Sequence, residues 1–190
     1  MEAGFIGLME EKEIVVRWLQ GNAEDFKVIV DKYRAQAIAF AMNILGNRED
    51  AEDACQEAFI QVFRNLKKFK LGMSFKNWLY TILYHRCLDQ LKRKRRFSRL
   101  FEKMRVESPQ IPVHQALNPV EKRPLSQTIL KHLTPREKTV LCLWANEGYS
   151  AQEISGVLQC SASTARVYLF NARKKIKALL EKKDAALENY

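Results

Sequence analysis

The chain has few of the residues that build disulfide frameworks, metal clusters or membrane spans. Its four cysteines lie far apart, and no Cys-x-x-Cys pair occurs. We therefore expect reduced, mostly buried thiols of a cytoplasmic protein. His85 and Cys87 alone make a poor metal site, so we expect no bound metal and no cofactor. No stretch approaches the roughly 20 apolar residues that span a bilayer, which argues against membrane insertion.

The sequence also lacks the patterns of a secretion signal and of a catalytic site. Residues 1–9 are mildly apolar but have no basic start and run into a charged segment, so we expect no secretion signal. No phosphate-binding loop, metal cluster or nucleophile–base arrangement is found in the sequence. These features indicate a binding protein rather than an enzyme.

Proline is scarce outside one segment. Four of the five prolines lie between residues 105 and 126, a stretch without aromatic residues. Proline fixes its own φ and disfavours helix at the preceding residue, and the helical pattern fades after Leu100. We therefore predict two domains joined by a flexible linker. The predicted boundaries are 1–97 for the first domain, 98–126 for the linker, 127–182 for the second domain and 183–190 for a tail.

Both domains follow helical periodicity. Apolar residues recur at three- and four-residue spacing over 26–45, 51–66 and 78–91. Asn47 and Ser74 stand where the N-caps of the second and third of these helices are expected. The chain is therefore predicted to be all-α, with an N-terminal helical bundle and a C-terminal helix-turn-helix domain.

The last third of the chain contains three helix starts with hardly any loop between them. Thr134 and Glu137 form a capping box around Pro135, and Ser150 with Glu153 repeats the box. A turn of about three residues then precedes a basic helix. Two short helices joined by so tight a turn are the shape that places the second helix in a DNA major groove. The second domain is therefore predicted to bind DNA.

Charge is unbalanced toward bases, with 32 lysines and arginines against 22 acids and a net charge of +10. This balance suits a polyanionic partner, although many soluble proteins are basic by chance. The bases concentrate at residues 92–96 and 173–183, which suggests two contacts with one long nucleic acid. A linker that only tethers the domains lets them reach DNA sites about 34 Å, or one helical turn, apart.

The helix that follows Asn47 has an acidic outer face. One interpretation is a solvated face whose first acids offset the helix dipole. The other, which we favour, is a docking surface for a basic protein partner, because the acids continue well past the first turn. The residues of this face are Glu49, Glu52, Asp53 and Glu57, together with the uncharged Gln56.

The next helix and the loop before it interleave aromatic residues with lysines and arginines. Aromatic faces stack on unpaired bases while cations hold phosphates, the combination that engages single-stranded nucleic acid. Phe75 and Trp78 are expected to lie in the core. Phe69 and Tyr84 are expected to be exposed aromatic contacts.

Together these segments resemble the conserved regions of bacterial sigma factors. The second conserved region is resembled by the segments Asp50–Phe59, Phe69, Phe75–Ile82 and Asp89–Arg93. The fourth is resembled by the segment from Thr134 to Lys175. The lack of anything substantial between them is similar to the extracytoplasmic-function (ECF) group, the smallest sigma factors.

The resemblance implies partners and roles for particular residues. In that family the acidic helix binds the coiled-coil clamp of core RNA polymerase. The loop and helix that follow recognise and melt the minus-ten promoter element and capture a flipped base of the non-template strand. The carboxyl-terminal helix-turn-helix reads the minus-thirty-five element as duplex. An anti-sigma factor that covers both DNA-reading faces is implied as a further partner.

These roles map onto three sets of residues. The core-polymerase set is Asp50, Glu52, Asp53, Gln56, Glu57 and Phe59. The minus-ten set is Lys68, Phe69, Lys70, Ser74, Lys76, Tyr84, His85, Arg86, Lys92 and Arg93. The minus-thirty-five set is Ser161, Ser163, Thr164, Arg166, Val167, Phe170, Asn171 and Lys174.

Three features depart from that family's pattern. The pair His85-Arg86 stands where the family has Arg-Asn, and Gln159 stands where the turn of the helix-turn-helix has glycine. Because a non-glycine residue in left-handed geometry costs about 1 kcal/mol, we expect this turn to be strained or built differently. The recognition helix is also less polar over Thr164–Leu169, so no promoter sequence is predicted.

Two other function classes fit parts of the sequence. A helix-turn-helix repressor or activator with an unrelated sensing domain leaves the acidic helix and the basic, aromatic loop unexplained. A serine recombinase needs a sheet-bearing catalytic domain, and no strand pattern supports one. Copurification with RNA polymerase separates a sigma factor from both.

Overall fold

The computed structural model describes residues 11–22, 24–70, 72–107 and 129–187, and every regular element in them is helical. The predicted all-α class is confirmed. Residues 1–10, 108–128 and 188–190 lie outside the described residues; they include the segment weighed as a secretion signal, most of the predicted linker and the end of the tail. In chain order the helices are α1 (Glu11–Leu19), α2 (Glu24–Leu45), α3 (Arg48–Arg64), a 3-10 turn (Leu66–Lys68), α4 (Phe75–Glu107), α5 (Pro135–Glu147), α6 (Ala151–Leu158) and α7 (Ala162–Leu187).

Helix starts follow the capping residues that the sequence predicted. The side chain of Asn47 accepts a hydrogen bond from a first-turn N–H of α3 at 2.9 Å. Ser74 does the same for α4 at 3.3 Å. Helices α5 and α6 both begin with complete capping boxes, in which the cap hydroxyl accepts from the backbone of a glutamate that in turn accepts from the cap backbone. Local sequence therefore sets these four helix starts.

Helices α1 to α4 form one bundle around an apolar core. Small side chains on α2 and α3, among them Ala41, Ala51 and Ala54, are fully buried and allow the two backbones to approach closely. Leu79 and Leu83 of α4 close the core from the other side. Within the described residues no helix is both long and apolar enough to cross a bilayer.

Helix α4 is longer than the sequence analysis predicted. It continues from Phe75 to Glu107 and therefore takes up the first ten residues of the stretch assigned to the linker, 98–107. The apolar pattern fades there because the helix has left the core, and residues 92–101 are all exposed. Arginine, leucine, lysine and glutamate still favour helix, and Pro109 is the first residue that opposes it.

Helices α5 to α7 form the second bundle, in which α7 packs across both shorter helices. Val140, Leu143, Ile154 and Val157 fill its centre together with Ala165 from the start of α7. The small residue at that position lets α7 lie close to α6. The helix-turn-helix predicted from the sequence is therefore present as α6, a tight turn and α7.

The two bundles pack directly against each other. Helix α4 lies against α6, and α2 lies against α5. A single buried cluster runs through both bundles and includes Tyr80 from the first and Tyr149 from the second. The prediction of two modules connected only by a flexible tether is therefore wrong for this conformation, which we call the closed arrangement.

Candidate functional site

The acidic face of α3, formed by Glu49, Glu52, Asp53, Gln56 and Glu57, lies in solvent as predicted. Glu52 pairs with Arg48 at 2.9 Å, and Glu57 lies 3.8 Å from Arg93 of α4. Both pairs are largely exposed, so they cost little to break when a partner binds. The face therefore presents carboxylates that a basic partner can reach.

Asp50 plays a different part from its neighbours on α3. It is half-buried, accepts a hydrogen bond from Gln90 at 3.1 Å and pairs with Lys94, both on α4. These contacts fix the start of α3 against α4. Asp50 was predicted as a polymerase contact. In this structure its carboxylate instead binds side chains of α4 and holds α3 against that helix.

A groove beside the acidic face was missed by the sequence analysis. It has a volume of about 940 Å³, lies between α2 and α3, and is bordered by Glu52 and Asp53. Ile60 and Phe63 line it with 42% and 50% of their surface exposed. Phe59, predicted as a contact residue, is only 6% exposed and belongs to the groove floor. Two large apolar residues one turn past the acids were the signal available in the sequence.

The loop before α4 carries the exposed cations of the minus-ten set. Lys68, Lys70 and Ser74 are exposed, as predicted. Phe69 is not, since only 9% of its surface is accessible and its ring packs 5.2 Å from Trp78 between centroids. The expectation that Phe69 is an exposed aromatic contact is therefore wrong here; aromatic neighbours on α4 draw the ring inward.

Tyr84 is also buried, at 2% exposure, and the expectation that it is exposed is wrong in the closed arrangement. Burial raises the pKa of its hydroxyl, although a hydrogen bond with Arg136 of α5 acts in the opposite direction. Arg136 also donates to the hydroxyl of Tyr168 on α7 at 2.8 Å. One guanidinium thus joins α4 to the second bundle.

His85 and Arg86, the pair that departs from the sigma-factor pattern, are half-buried on α4. The Nδ1–H of His85 donates to the carbonyl of Thr81 one turn earlier at 2.7 Å. Arg86 lines a small surface hollow with Glu57 and Arg64, and its Nε is buried there. Both side chains are held by the first bundle rather than extended into solvent.

The contact between the bundles centres on Glu147 in the last turn of α5. Its carboxylate accepts from the hydroxyl of Tyr80 at 2.9 Å and pairs with Nζ of Lys76 at 2.8 Å. The same Nζ lies 5.4 Å from the ring centroid of buried Tyr149. Burial and the hydrogen bond with Glu147 both raise the pKa of Tyr80. We call these four residues the Glu147 contact.

The sequence contained a signal for this contact that the sequence analysis did not use. A carboxylate in the last turn of a helix opposes the helix dipole, so an acid there generally has a partner elsewhere.

A second polar contact between the bundles is made by Lys138 of α5. It donates to the carbonyl of Ile44 at 3.2 Å and so satisfies a backbone group at the end of α2. Burial lowers the pKa of Lys138.

The basic segment at residues 92–96 is exposed on α4, and Lys94 within it pairs with Asp50 of α3. Lys92 and Arg93 are exposed, and their ion pairs with Asp89 and Glu57 are long, at 3.5 and 3.8 Å. Beyond them the exposed rings of Phe97 and Phe101 lie 5.3 Å apart between centroids. This end of α4 is therefore a cationic surface with an aromatic extension.

Helix α7 turns outward most of the residues that were predicted to read the minus-thirty-five element. Its outward side holds Ser163, Arg166, Val167, Phe170 and Lys174 in exposed positions. Thr164 and Asn171 of the same set are half-buried at the edge of that face. Ser161 caps the helix, since its hydroxyl accepts from the backbone N–H of Thr164 at 3.1 Å. The face stays open although the two bundles are packed together.

The turn between α6 and α7 is built at Gln159 in the left-handed conformation, with φ 53° and ψ 50°. Gln159 is the only non-glycine residue with positive φ among the described residues. Its backbone N–H donates to the carbonyl of Ser155 and closes α6. We expected this turn to be either strained or built differently. The structure shows the first: an ordinary left-handed helix cap, formed by glutamine, a residue for which positive φ is unfavourable.

The described residues contain no group of three or more metal-ligating side chains. All four cysteines are free thiols there, and Cys55, Cys87 and Cys142 are buried. Burial raises the pKa of Cys87 to about 12 and that of Cys55 to about 11. These thiols are therefore protonated and unreactive at neutral pH.

Comparison with known families divides the chain along the same line as the two bundles. The sequence matches sigma-70 region 2 over residues 29–97 and sigma-70, region 4 over residues 127–176, together more than half of the chain. Among similar proteins is RNA polymerase sigma-H factor of Pseudomonas aeruginosa, 27% identical over 183 residues that cover 90% of this chain and 94% of that protein. ECF RNA polymerase sigma factor SigW of Bacillus subtilis is 26% identical over 172 residues, 85% of this chain and 91% of SigW.

A solved structure has the same fold. The sigma factor RpoE of Bartonella quintana, determined in complex with the anti-sigma factor NepR, matches with a TM-score of 0.67 and 21% sequence identity. The match covers 84% of this chain and 98% of RpoE. The arrangement of both helical bundles is therefore shared, and not only the helix-turn-helix.

Proposed function

Since the chain belongs to the ECF group of the sigma-70 family, we propose that it brings core RNA polymerase to a set of promoters and initiates transcription there. The observation that carries this proposal is the presence of both conserved regions, in order, on two helical bundles of one chain. The chain contributes binding and recognition, and the polymerase contributes the chemistry. It acts in the cytoplasm, where polymerase and promoter DNA meet.

Polymerase docking is assigned to the acidic face of α3 and the groove beside it. Asp53, Gln56 and Glu57 are exposed; the two carboxylates offer charge, and the amide of Gln56 offers hydrogen bonds, to a basic coiled coil. Ile60 and Phe63 add apolar area next to that charge. A partner helix that carries both basic and apolar residues fits such a surface, because the carboxylates set its orientation while the groove excludes water.

Promoter recognition is divided between the two bundles. The loop cations Lys68 and Lys70 and the basic segment at 92–96 hold the minus-ten region, including the melted non-template strand. Helix α7 reads the minus-thirty-five element as duplex through its exposed face. The domain boundaries proposed for this division are 1–97 for the minus-ten bundle, with α4 continuing to Glu107, and 127–182 for the minus-thirty-five bundle.

The closed arrangement fits a free or inhibited sigma factor better than a promoter-bound one. Lys76 and Tyr84 of the minus-ten set face α5 instead of solvent, because the Glu147 contact and Arg136 hold them. Opening the two bundles exposes both residues to DNA. An anti-sigma factor that stabilises the packed bundles is the partner we propose for this state; the similar sigma factor RpoE was solved in complex with an anti-sigma factor.

Copurification tests the proposal against a conventional repressor or recombinase. Purified full-length chain is mixed with core RNA polymerase and passed over a size-exclusion column. We expect a stoichiometric complex, and we expect a second, established sigma factor in excess to displace the chain. A chain that elutes alone at every concentration is not a sigma factor.

A further inference from the structure

The exposed face of α7 has an apolar centre. Val167 and Phe170 are 55% and 66% exposed and lie three residues apart in the first three turns of the helix. Side chains at i and i+3 lie on the same face, so the two form one patch. Large apolar side chains placed together in solvent mark a contact surface.

Cations surround this patch. Arg166 and Lys174 lie on its two sides along the helix, and both are exposed, as is Arg173. These cations and Phe170 line a groove of about 740 Å³ along α7. Lysine and arginine contacts with phosphates position a helix on duplex DNA but carry no sequence information directly. Beside these cations, the apolar centre is the part of the face that can contact base edges without hydrogen bonds.

The hydroxyl groups at the start of α7 are already engaged with each other. The Oγ of Ser161 lies 2.8 Å from the hydroxyls of both Ser163 and Thr164 and accepts the N–H of Thr164. These bonds close the helix end. These hydroxyls at the start of α7 are therefore bonded to one another rather than free to read a donor and acceptor pattern.

An apolar side chain recognises one feature of the major groove, the C5-methyl group of thymine. Cytosine has no methyl there and presents an amino donor that valine and phenylalanine cannot accept. We infer that Val167 and Phe170 select thymine by its methyl group within the minus-thirty-five element. This inference rests on the proposed function and adds the base chemistry that the helix reads.

The test removes the methyl group alone. Holoenzyme is assembled from full-length chain and core polymerase, and its upstream element is located by mapping start sites. Each thymine of that duplex is then replaced singly with deoxyuridine, and the Kd of every duplex is measured by competition. Because burial of one methyl-sized group is worth about 0.8 kcal/mol, we expect about a fourfold increase in Kd at the contacted thymines.

Two variants assign the effect to residues. With Phe170→Ala or Val167→Ala, the thymine and deoxyuridine duplexes should bind equally at the position which that side chain contacts. Leu180→Ala removes another exposed apolar residue of α7 and should keep the full discrimination. Replacing thymine with cytosine should weaken binding, and 5-methylcytosine should recover about fourfold of that loss.

The failures of the two proposals are distinguishable. If holoenzyme binds and transcribes but no deoxyuridine duplex differs from its thymine parent, methyl recognition is wrong and the sigma-factor function stands. Equal discrimination by the wild type and a double Val167→Ala, Phe170→Ala variant has the same meaning. If holoenzyme neither binds nor initiates on any duplex, both proposals fail.

Discussion

Glu137 is a buried carboxylate that joins two helices of the second bundle. It is 4% exposed, accepts from the backbone N–H of Thr134 at 2.8 Å and pairs with Lys175 of α7 at 2.8 Å. Burial acts to raise its pKa, but the hydrogen bonds with Lys175 and Thr134 outweigh burial and lower it. The side chain therefore favours the folded state in its ionised form.

Glu137→Gln should destabilise the protein by about 1–2 kcal/mol at pH 7, because it removes charge-assisted bonds to a buried group. A folded-state pKa below the unfolded one gives stability that is present above the unfolded pKa and lost as pH falls through the folded one. The difference between wild type and variant should therefore shrink on acidification below about pH 4. Denaturant midpoints at several pH values measure it.

Glu153→Gln is the matched control, since Glu153 has the same position in the capping box of α6 but is exposed. It should cost less at pH 7 than the change at Glu137. Equal losses for the two variants would mean that Glu137 acts only as a helix cap and that its bond to Lys175 contributes nothing.

Gln159 holds a turn that glycine would form with less strain. Gln159→Gly should stabilise the folded protein by about 0.5 kcal/mol, because relief of about 1 kcal/mol of left-handed strain exceeds the entropy that glycine adds to the unfolded chain. Gln159→Val should destabilise it, since a β-branched side chain tolerates positive φ poorly. Urea midpoints of the three proteins give the order, and a less stable glycine variant would show that Gln159 makes a stabilising contact.

At the scale of elements, helix α3 has one face that packs and one face that is proposed to dock polymerase. Its inner face packs into the first bundle, and its outer face carries the acids assigned to polymerase. Asp53→Arg with Glu57→Arg should leave the fold intact, because both side chains are exposed, and should reduce affinity for core polymerase at least tenfold. Asp31→Arg with Glu181→Arg makes the same change in net charge at other exposed sites and is the control.

Binding of both double variants to core polymerase is measured by fluorescence anisotropy, with circular dichroism to show retained helix. Equally reduced affinities for the two would indicate that only net charge matters. Affinities equal to that of the wild type would also show that the acidic face of α3 is not the docking surface. Loss of binding by both variants would have the same meaning.

What could be predicted from the sequence was largely local. Capping residues such as Asn47, Thr134 and Ser150 act within one helical turn, so the helix starts followed from sequence alone. The acidic face of α3 followed from periodicity. The burial of Phe69 and Tyr84 did not, because it depends on aromatic neighbours and on Arg136, which come from other segments.

The end of α4 shows the same limit. Hydrophobic periodicity shows which side of a helix is buried, so it gives no signal for helix where the helix extends beyond the core. Helix propensity continues to act there, and α4 extends to Glu107. The rest of the predicted linker lies outside the described residues.

At the scale of the whole molecule, we expect the Glu147 contact to help hold the two bundles together. Glu147→Lys places a cation against Lys76 and should remove about 2–3 kcal/mol of contact between the bundles. We expect an increased radius of gyration in small-angle scattering with unchanged helix content. Glu181→Lys, the same charge change at an exposed site of α7, should scatter as the wild type does.

An unchanged radius of gyration for Glu147→Lys would mean that the apolar contacts of α4 with α6 and of α2 with α5 suffice to hold the closed arrangement. A larger radius for both lysine variants would point instead to general charge repulsion in a basic protein.

In vitro transcription with mapped start sites tests whether the chain directs core polymerase to promoters. Core polymerase is incubated with a promoter library in the presence or absence of the full-length chain, and RNA 5′ ends are sequenced. We expect new, discrete start sites that depend on the chain and disappear with the Asp53→Arg, Glu57→Arg variant. Start sites that are identical with and without the chain would contradict this expectation.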